Sequence, residues 1–199
     1  MTKAKDNFIV TPEFRLSFPA LFTPVQYETG QPKYEITMLF PKDVDINELK
    51  ALAKAAAVER WGADPSQWPP GLRVPFKDGD APNTMGKIYD THRGHIVVKA
   101  SSLYAPGVVN ESVQPVINEK EVYSGCYCRA QINAYTYANK GNCGVSFGLA
   151  NIQKLRDGDR IGGGPSATAA FDAVAPSPGN SGNEAFFEGQ ATGTDGLPF

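Results

Sequence analysis

The sequence predicts a mainly β body, a small Greek-key barrel with one inserted helix, followed by a disordered C-terminal tail. Three observations predict it. Apolar and polar residues alternate with a period of two in several runs, which is the pattern of half-buried strands. Only one stretch, Asp43 to Trp61, has sustained helix propensity. At Ile161 the texture changes to Gly, Pro, Ala and Ser with little apolar bulk, too little to offset chain entropy.

Phe8 to Phe22 is β-rich but interrupted by Pro12 and Pro19, so it reads as one or two short strands with edge or bulge positions at the prolines. Phe14, Leu16 and Phe18 share one face there, and Arg15 and Ser17 the other. After the turn residues Glu28 to Pro32, Lys33 to Phe40 alternates again. Tyr34, Ile36, Met38 and Phe40 lie on one side, with Glu35, Thr37 and Leu39 on the other. The helix is expected over 43–61, with Asp45 as N-cap, Glu48 completing a capping box and Gly62 as the stop. Ile46, Leu49, Leu52, Ala53, Ala56 and Val58 form its apolar stripe. Residues 63–86 carry five prolines and read as a long irregular loop, of a length that is usually functional or disordered.

His95 to Ser101 and Val113 to Ile117 are expected strands, and Val122 to Tyr137 is the longest extended run. In that run Cys126, Cys128, Ala130, Ile132, Ala134 and Thr136 make a small apolar face. Tyr127, Arg129, Gln131, Asn133, Tyr135 and Tyr137 make the opposite one. Asn139 to Asn142 then turns the chain into Val145 to Ile152 as a hairpin. Gly162 to Gly164 opens the tail as a linker.

The charge divides where the composition does. The formal net charge of -2 comes from 19 Lys and Arg against 21 Asp and Glu. Asp172, Glu184, Glu188 and Asp195 are the only charged residues after Arg160, so the body is weakly basic and the tail acidic. That asymmetry points to a polyanionic partner for the body. A mean hydropathy of -0.31, with no 18-residue apolar span and no signal peptide, argues against a membrane protein. The three cysteines, Cys126, Cys128 and Cys143, cannot build a disulfide framework, so a reducing cytoplasm is the expected compartment.

The polar face of the long strand sets tyrosines, an arginine and amides about 7 Å apart, close to the spacing of bases in an extended single strand. Rings beside guanidinium groups stack bases without reading their sequence. Tyr127, Arg129, Tyr135 and Tyr137 are the leading candidate contacts, with Lys99, Lys140, Lys154, Arg156, His92 and Arg93 as phosphate partners. Other chemistries have weaker support. His92, His95, Cys126 and Cys128 lack a zinc-ligand spacing of known strength. Asp78, Asp80 and His92 are the nearest approach to a metal-dependent nuclease, but Asp78-Gly-Asp80 and Asp157-Gly-Asp159 both read as turns. No phosphate loop, nucleophile elbow or zinc-protease helix is present, so no catalytic residue and no cofactor is expected.

The stretch Tyr123-Ser-Gly-Cys-Tyr-Cys-Arg-Ala-Gln-Ile-Asn-Ala-Tyr-Thr-Tyr137, the turn Asn139-Lys-Gly141 and the segment from Gly144 to Gly158 resemble a bacteriophage family of OB-fold single-stranded-DNA-binding proteins with an Enterobacter-phage member. The likeness spans most of residues 1–160. It implies an OB-fold-like body that coats single-stranded DNA during phage replication, recombination and repair in the cytoplasm of the bacterial host. The ending Asp195-Gly-Leu197-Pro198-Phe199 is similar to the acidic, aromatic-closed tails of bacterial and T-odd phage single-stranded-DNA-binding proteins. That similarity implies that residues 161–199 contact phage or host replication and recombination proteins, or compete with DNA. A homo-oligomer is compatible with the sequence. The rival reading is a phage structural or interaction protein whose tyrosine face binds protein.

Overall fold

The structure is a computed structural model describing residues 8–28, 30–83, 85–139 and 141–162. Lys140 and the tail expectations, including Asp195, Leu197, Pro198 and Phe199, lie outside the described residues. The strands are β1 (Ile9–Val10), β2 (Phe14–Val25), β3 (Lys33–Pro41), β4 (Phe76–Asp78), β5 (His95–Ser102), β6 (Gly107–Val109), β7 (Tyr127–Asn139) and β8 (Asn142–Arg156). The helix α1 is Asn47–Trp61.

Five strands close into a ring in the order β2, β3, β5, β8, β7, and β7 returns to β2 through Phe14 opposite Cys128. All pairings in the ring are antiparallel except β5 with β8, which run parallel with Ala100 opposite Phe147. This is the mainly β Greek-key barrel that the alternation predicts, with the OB-like form that the family resemblance implies. The barrel is filled by the inward faces: Phe14 and Leu16 from β2, Ile36, Met38 and Phe40 from β3, Val98 and Ala100 from β5, Cys128, Ala130 and Ile132 from β7, and Phe147 from β8. Helix α1 packs against β7 and β8 through Leu49, Ala53 and Ala57, with Ile46 buried just before it.

Several expectations change. The helix begins at Asn47, not Asp43, because the Asp45 carboxylate accepts the Asn47 N–H at 2.8 Å in a local turn. Glu48 closes no capping box, and Gly62 ends the helix at φ 90° as expected. In β2, alternation fails at Phe18. A register shift between Ser17 and Ala20 places Phe18 at φ 46°, and its ring turns outward to 51% exposure instead of joining Phe14 and Leu16. Pro19, which lacks an N–H to give to the ladder, sits inside this bulge.

The 63–86 region is not wholly irregular, since Phe76–Asp78 pairs with Ile96–Val98 of β5. The strand expected at Val113–Ile117 is instead a return segment. The three-residue strand is Gly107–Val109, parallel to β8, and Val113 turns the chain back at φ 61° so that Pro115 bridges Val109. β7 starts at Tyr127 after a 3-10 turn at Glu119–Glu121, and β8 is longer than the 145–152 run predicted for it.

Phe147 stands where the ring closes, between Ala100 of β5 and Ala134 of β7, fully buried and edge-on to Phe76 at 5.8 Å. Phe147→Ala is expected to lower unfolding free energy by about 3–5 kcal/mol. Urea denaturation checks this, and a loss below about 1 kcal/mol would show that closure does not rest on this ring.

Candidate nucleic-acid interface

The alternation of β7 holds, but the residues it presents do not form one row. Asn133, Tyr135 and Tyr137 stand opposite Gly148, Ser146 and Gly144 of β8. A Cβ at Gly144 would lie 2.7 Å from the Tyr137 hydroxyl and 2.6 Å from the Arg73 carbonyl oxygen. Gly144 thus lets the half-buried Tyr137 ring lean over β8, whereas Tyr135 is exposed.

At the other end of β7 the side chains are engaged with one another. Arg156 covers the Tyr127 ring with its guanidinium 3.4 Å from the centroid and also pairs with Glu13 at 2.6 Å. Arg129 donates to the Gln153 side-chain oxygen at 2.8 Å. Lys154 falls opposite Cys128, on the core-facing side of the strand. Its side chain is only 13% exposed and paired to Asp157 at 2.7 Å, so it is not the open phosphate contact expected. Arg93 pairs with Asp90 at 3.1 Å. Lys99 of β5 faces a cleft.

That cleft encloses about 860 Å³ on the outer surface of β3 and β5. Thr37 of β3 and Val97 and Lys99 of β5 line its floor. One wall is the bulged part of β2, Phe18 to Ala20, and the other is the loop from Gly79 to Gly94, which contributes Asn83, Lys87, Tyr89 and His92. Three rings meet at its edge. Phe18 contacts Tyr89 at 5.5 Å and His92 at 5.8 Å, and Tyr89 lies 5.0 Å from His92. Lys87 sits 4.7 Å over the Tyr89 ring. Phe18 is held in the left-handed region that a bulky residue rarely adopts, and such strain concentrates at binding sites.

The charges in the cleft are unequal in availability. Glu35 accepts from the Tyr27 hydroxyl and faces Lys99 at 3.9 Å, so its charge is engaged, and it pushes the Tyr27 pKa up to about 12. Asp78 is held by Lys42 at 2.7 Å. Lys77 and Lys87 pair with no carboxylate among the described residues. His92 is buried with its Nε2 3.2 Å from the Ser17 hydroxyl. Burial, then the nearby His95 and Lys99, hold its pKa below the usual imidazole value, so the cleft pairs neutral rings with lysine cations at neutral pH.

The floor is continuous with the β7–β8 arm. Lys99 and Ser101 share the outward face of β5, Ser101 lies beside Gly148, and Gly148 begins the Gly148, Ser146, Gly144 line beneath Asn133, Tyr135 and Tyr137. Phe18, Lys77, Lys87 and Tyr89 were not among the sequence candidates. The legible signal was Phe18-Pro19, a proline inside an alternating run, which marks a bulge able to reverse the residue before it.

Residues 7–181 match the family described as Enterobacter phage Enc34, ssDNA-binding protein. The chain belongs to this family. A relative in Acyrthosiphon pisum secondary endosymbiont phage 1, putative protein p50, is 36% identical over 172 residues, covering 81% of this chain and 90% of the relative. The single-stranded DNA-binding protein of bacteriophage Enc34, solved in complex with ssDNA, superposes with a TM-score of 0.66 at 25% identity, over 79% of this chain and 91% of that one. The gp2.5 single-stranded DNA-binding protein of bacteriophage T7 shares the fold with a TM-score of 0.54 at 14% identity, over 77% and 93% of the two chains. Among the described residues no helix is long and apolar enough to cross a membrane.

The lowered His92 pKa fixes the sign of a pH effect. As pH falls through about 6.5 the unfolded chain takes up a proton that the folded chain resists, so stability declines from there down to the folded value. Asp64, Asp78, Asp80 and Asp157 are held below 3.8 by their hydrogen bonds, so their losses come only in stronger acid. Thermal melts between pH 7 and 5 are expected to show a falling Tm that His92→Asn flattens. An equal slope in the variant would assign the decline elsewhere.

Proposed function

We propose that this chain is a non-catalytic protein that binds single-stranded DNA without regard to sequence, through the cleft on β3 and β5. The observation that carries this reading is the group of Phe18, Tyr89 and His92 rings beside Lys77, Lys87 and Lys99 on the outer face of the second and third barrel strands. In OB folds that face, with the loops joining strands 1–2 and 4–5, is the one that meets oligonucleotides. Aromatic faces accept any base, and lysines meet phosphates as point charges. The bound DNA continues over Ser101 and the Gly148, Ser146, Gly144 line toward Tyr135 and Tyr137. Family membership and the ssDNA complex of the Enc34 protein support the substrate class.

The wider role we infer is coating and protection of single-stranded DNA in phage replication, recombination and repair, in the cytoplasm of the bacterial host. The body is residues 1–160. Residues 161–199, with Asp195, Leu197, Pro198 and Phe199, recruit partner proteins or compete with DNA.

Fluorescence anisotropy with labelled oligothymidine tests the cleft. Affinity is expected to fall linearly with log salt, as phosphate neutralisation releases counterions, and to exceed affinity for duplex of equal length. Tyr89→Ala is expected to cost about 1–3 kcal/mol of binding free energy, and Tyr135→Ala a similar amount if bases stack along the arm. Phe18→Gly is expected to weaken binding by the same order while leaving unfolding free energy equal or higher, because glycine relieves the left-handed strain. Unchanged affinity in Phe18→Gly and Tyr89→Ala would remove the cleft as the site. Absence of oligothymidine binding by the full chain would favour the protein-interaction reading. Deleting residues 161–199 should leave affinity equal or higher, since four negative charges go with them.

A further inference from the structure

The cleft wall that carries Tyr89, His92 and Lys87 belongs to a loop whose two ends meet. The Gly79 N–H donates to the His95 carbonyl at 2.9 Å, and a Cβ at Gly79 would collide with the His92 carbonyl oxygen. Across this neck lies Lys42, in the turn between β3 and α1. Its backbone N–H donates to the Gly94 carbonyl at 3.2 Å. Its Nζ reaches Asp78 Oδ1 and Asp80 Oδ2, each at 2.7 Å. The second oxygen of Asp80 accepts the Gly94 N–H at 2.9 Å, and Asp78 Oδ1 accepts the Asp80 N–H at 3.0 Å. Each carboxylate is therefore bonded both to the ammonium and to the backbone of the neck. Lys42 and Asp80 do not line the cleft, while Asp78 touches its edge.

An isolated exposed ion pair contributes little. This arrangement differs because the ammonium holds two carboxylates on the first strand of the neck, while the Asp80 carboxylate and the Lys42 backbone N–H both reach Gly94 on the second. We propose that Lys42, Asp78 and Asp80 are positioning residues for nucleic-acid binding: a clamp at the rim of the cleft that fixes the neck of the 79–94 loop and so sets the Tyr89 and His92 wall against Phe18. The proposal rests on the reading of the cleft as the DNA site.

The sign of one substitution separates this role from simple electrostatics. Removing a negative charge near a polyanion site should tighten binding by charge alone. A loosened wall should weaken it. For the full chain and labelled oligothymidine, Asp80→Asn is expected to weaken affinity about three- to tenfold, the scale of one or two net hydrogen bonds. Lys42→Met is expected to do the same with an unchanged slope of log affinity against log salt, and Lys42→Arg to restore most of the loss. A lysine that touched phosphate would instead reduce that slope by about one.

In a Tyr89→Ala background, Asp80→Asn is expected to change affinity less than twofold further, because the group it positions is gone. Thermal melts confirm that each variant is folded at the assay temperature, and Asp78→Asn serves as the second carboxylate variant should Asp80→Asn fail that check. Tighter or equal binding in the carboxylate variant overturns the clamp, as does a reduced salt slope in Lys42→Met or a full effect surviving in the Tyr89→Ala background. If Tyr89→Ala and Phe18→Gly alone leave affinity unchanged, the cleft reading fails and the clamp falls with it. If they weaken binding and the clamp variants do not, only the clamp fails.

Discussion

The parallel contact between β5 and β8 is the constraint on which the rest of the barrel depends. Antiparallel neighbours in sequence can pair through tight turns, as β7 and β8 do through Asn139 and Asn142. β5 and β8 are separated by the whole β7 hairpin and meet only over Ala100 with Phe147 and Ser101 with Gly148. Without that contact β3 and β5 would leave an open edge, with exposed ladder groups and half a core. Its shortness also has a consequence for the surface. β8 claims β5 only at its C-terminal end, so residues 96–98 are free to pair with β4. β4 leads directly into the loop that forms one wall of the cleft, so the way the ring closes also decides where the cleft lies.

Strain and satisfied polarity sit side by side in β2. Ser17 is fully buried, yet its hydroxyl is partnered by His92, and the next residue, Phe18, takes a positive φ that projects its ring outward. A regular strand would have buried Phe18 beside Leu16 and left the outer face of β3 without an aromatic wall. The bulge exchanges a core contact for an exposed ring, a trade expected where a backbone outlier serves a site and not the core.

What was legible in the sequence followed from period-two alternation acting through burial. The runs of β3 and β7 could be read because one face is apolar throughout, and a slip of one residue would expose Met38 or Ile132. Local propensity failed where tertiary contacts intervened. Val113 to Ile117 has strand composition, but the turn at Asn110, whose side-chain oxygen accepts from Ser112 and Gln114, folds it back on Val109. Phe76–Asp78 lacked a strand signal because three residues between prolines gain their ladder only from β5. The tyrosine row of β7 was legible as a face, but its neighbours were not. That Arg156 covers Tyr127 depends on a cross-strand partner, and that Lys154 is drawn toward Asp157 depends on the chain turning beyond β8; alternation names neither.

That difference alters how the body would meet a polyanion. The sequence count makes the body a weak excess of positive charge, which invites an electrostatic account of binding. In the structure much of that charge is spent internally: Arg156 on Glu13, Lys154 on Asp157, Arg93 on Asp90 and Lys42 on two aspartates. The cations left at the cleft are few and stand next to rings, Lys87 over Tyr89 most closely. Contact with phosphate releases counterions in proportion to the number of free cations, whereas stacking on Phe18 and Tyr89 does not depend on salt in that way. Of the three cleft lysines Lys99 faces Glu35 at 3.9 Å, so on the proposed reading the three rings outnumber the cations left without a carboxylate among the described residues, Lys77 and Lys87. Bases are open to such rings only in a single strand, so the preference for unpaired DNA proposed above would rest on the shortage of free charge as much as on the presence of rings.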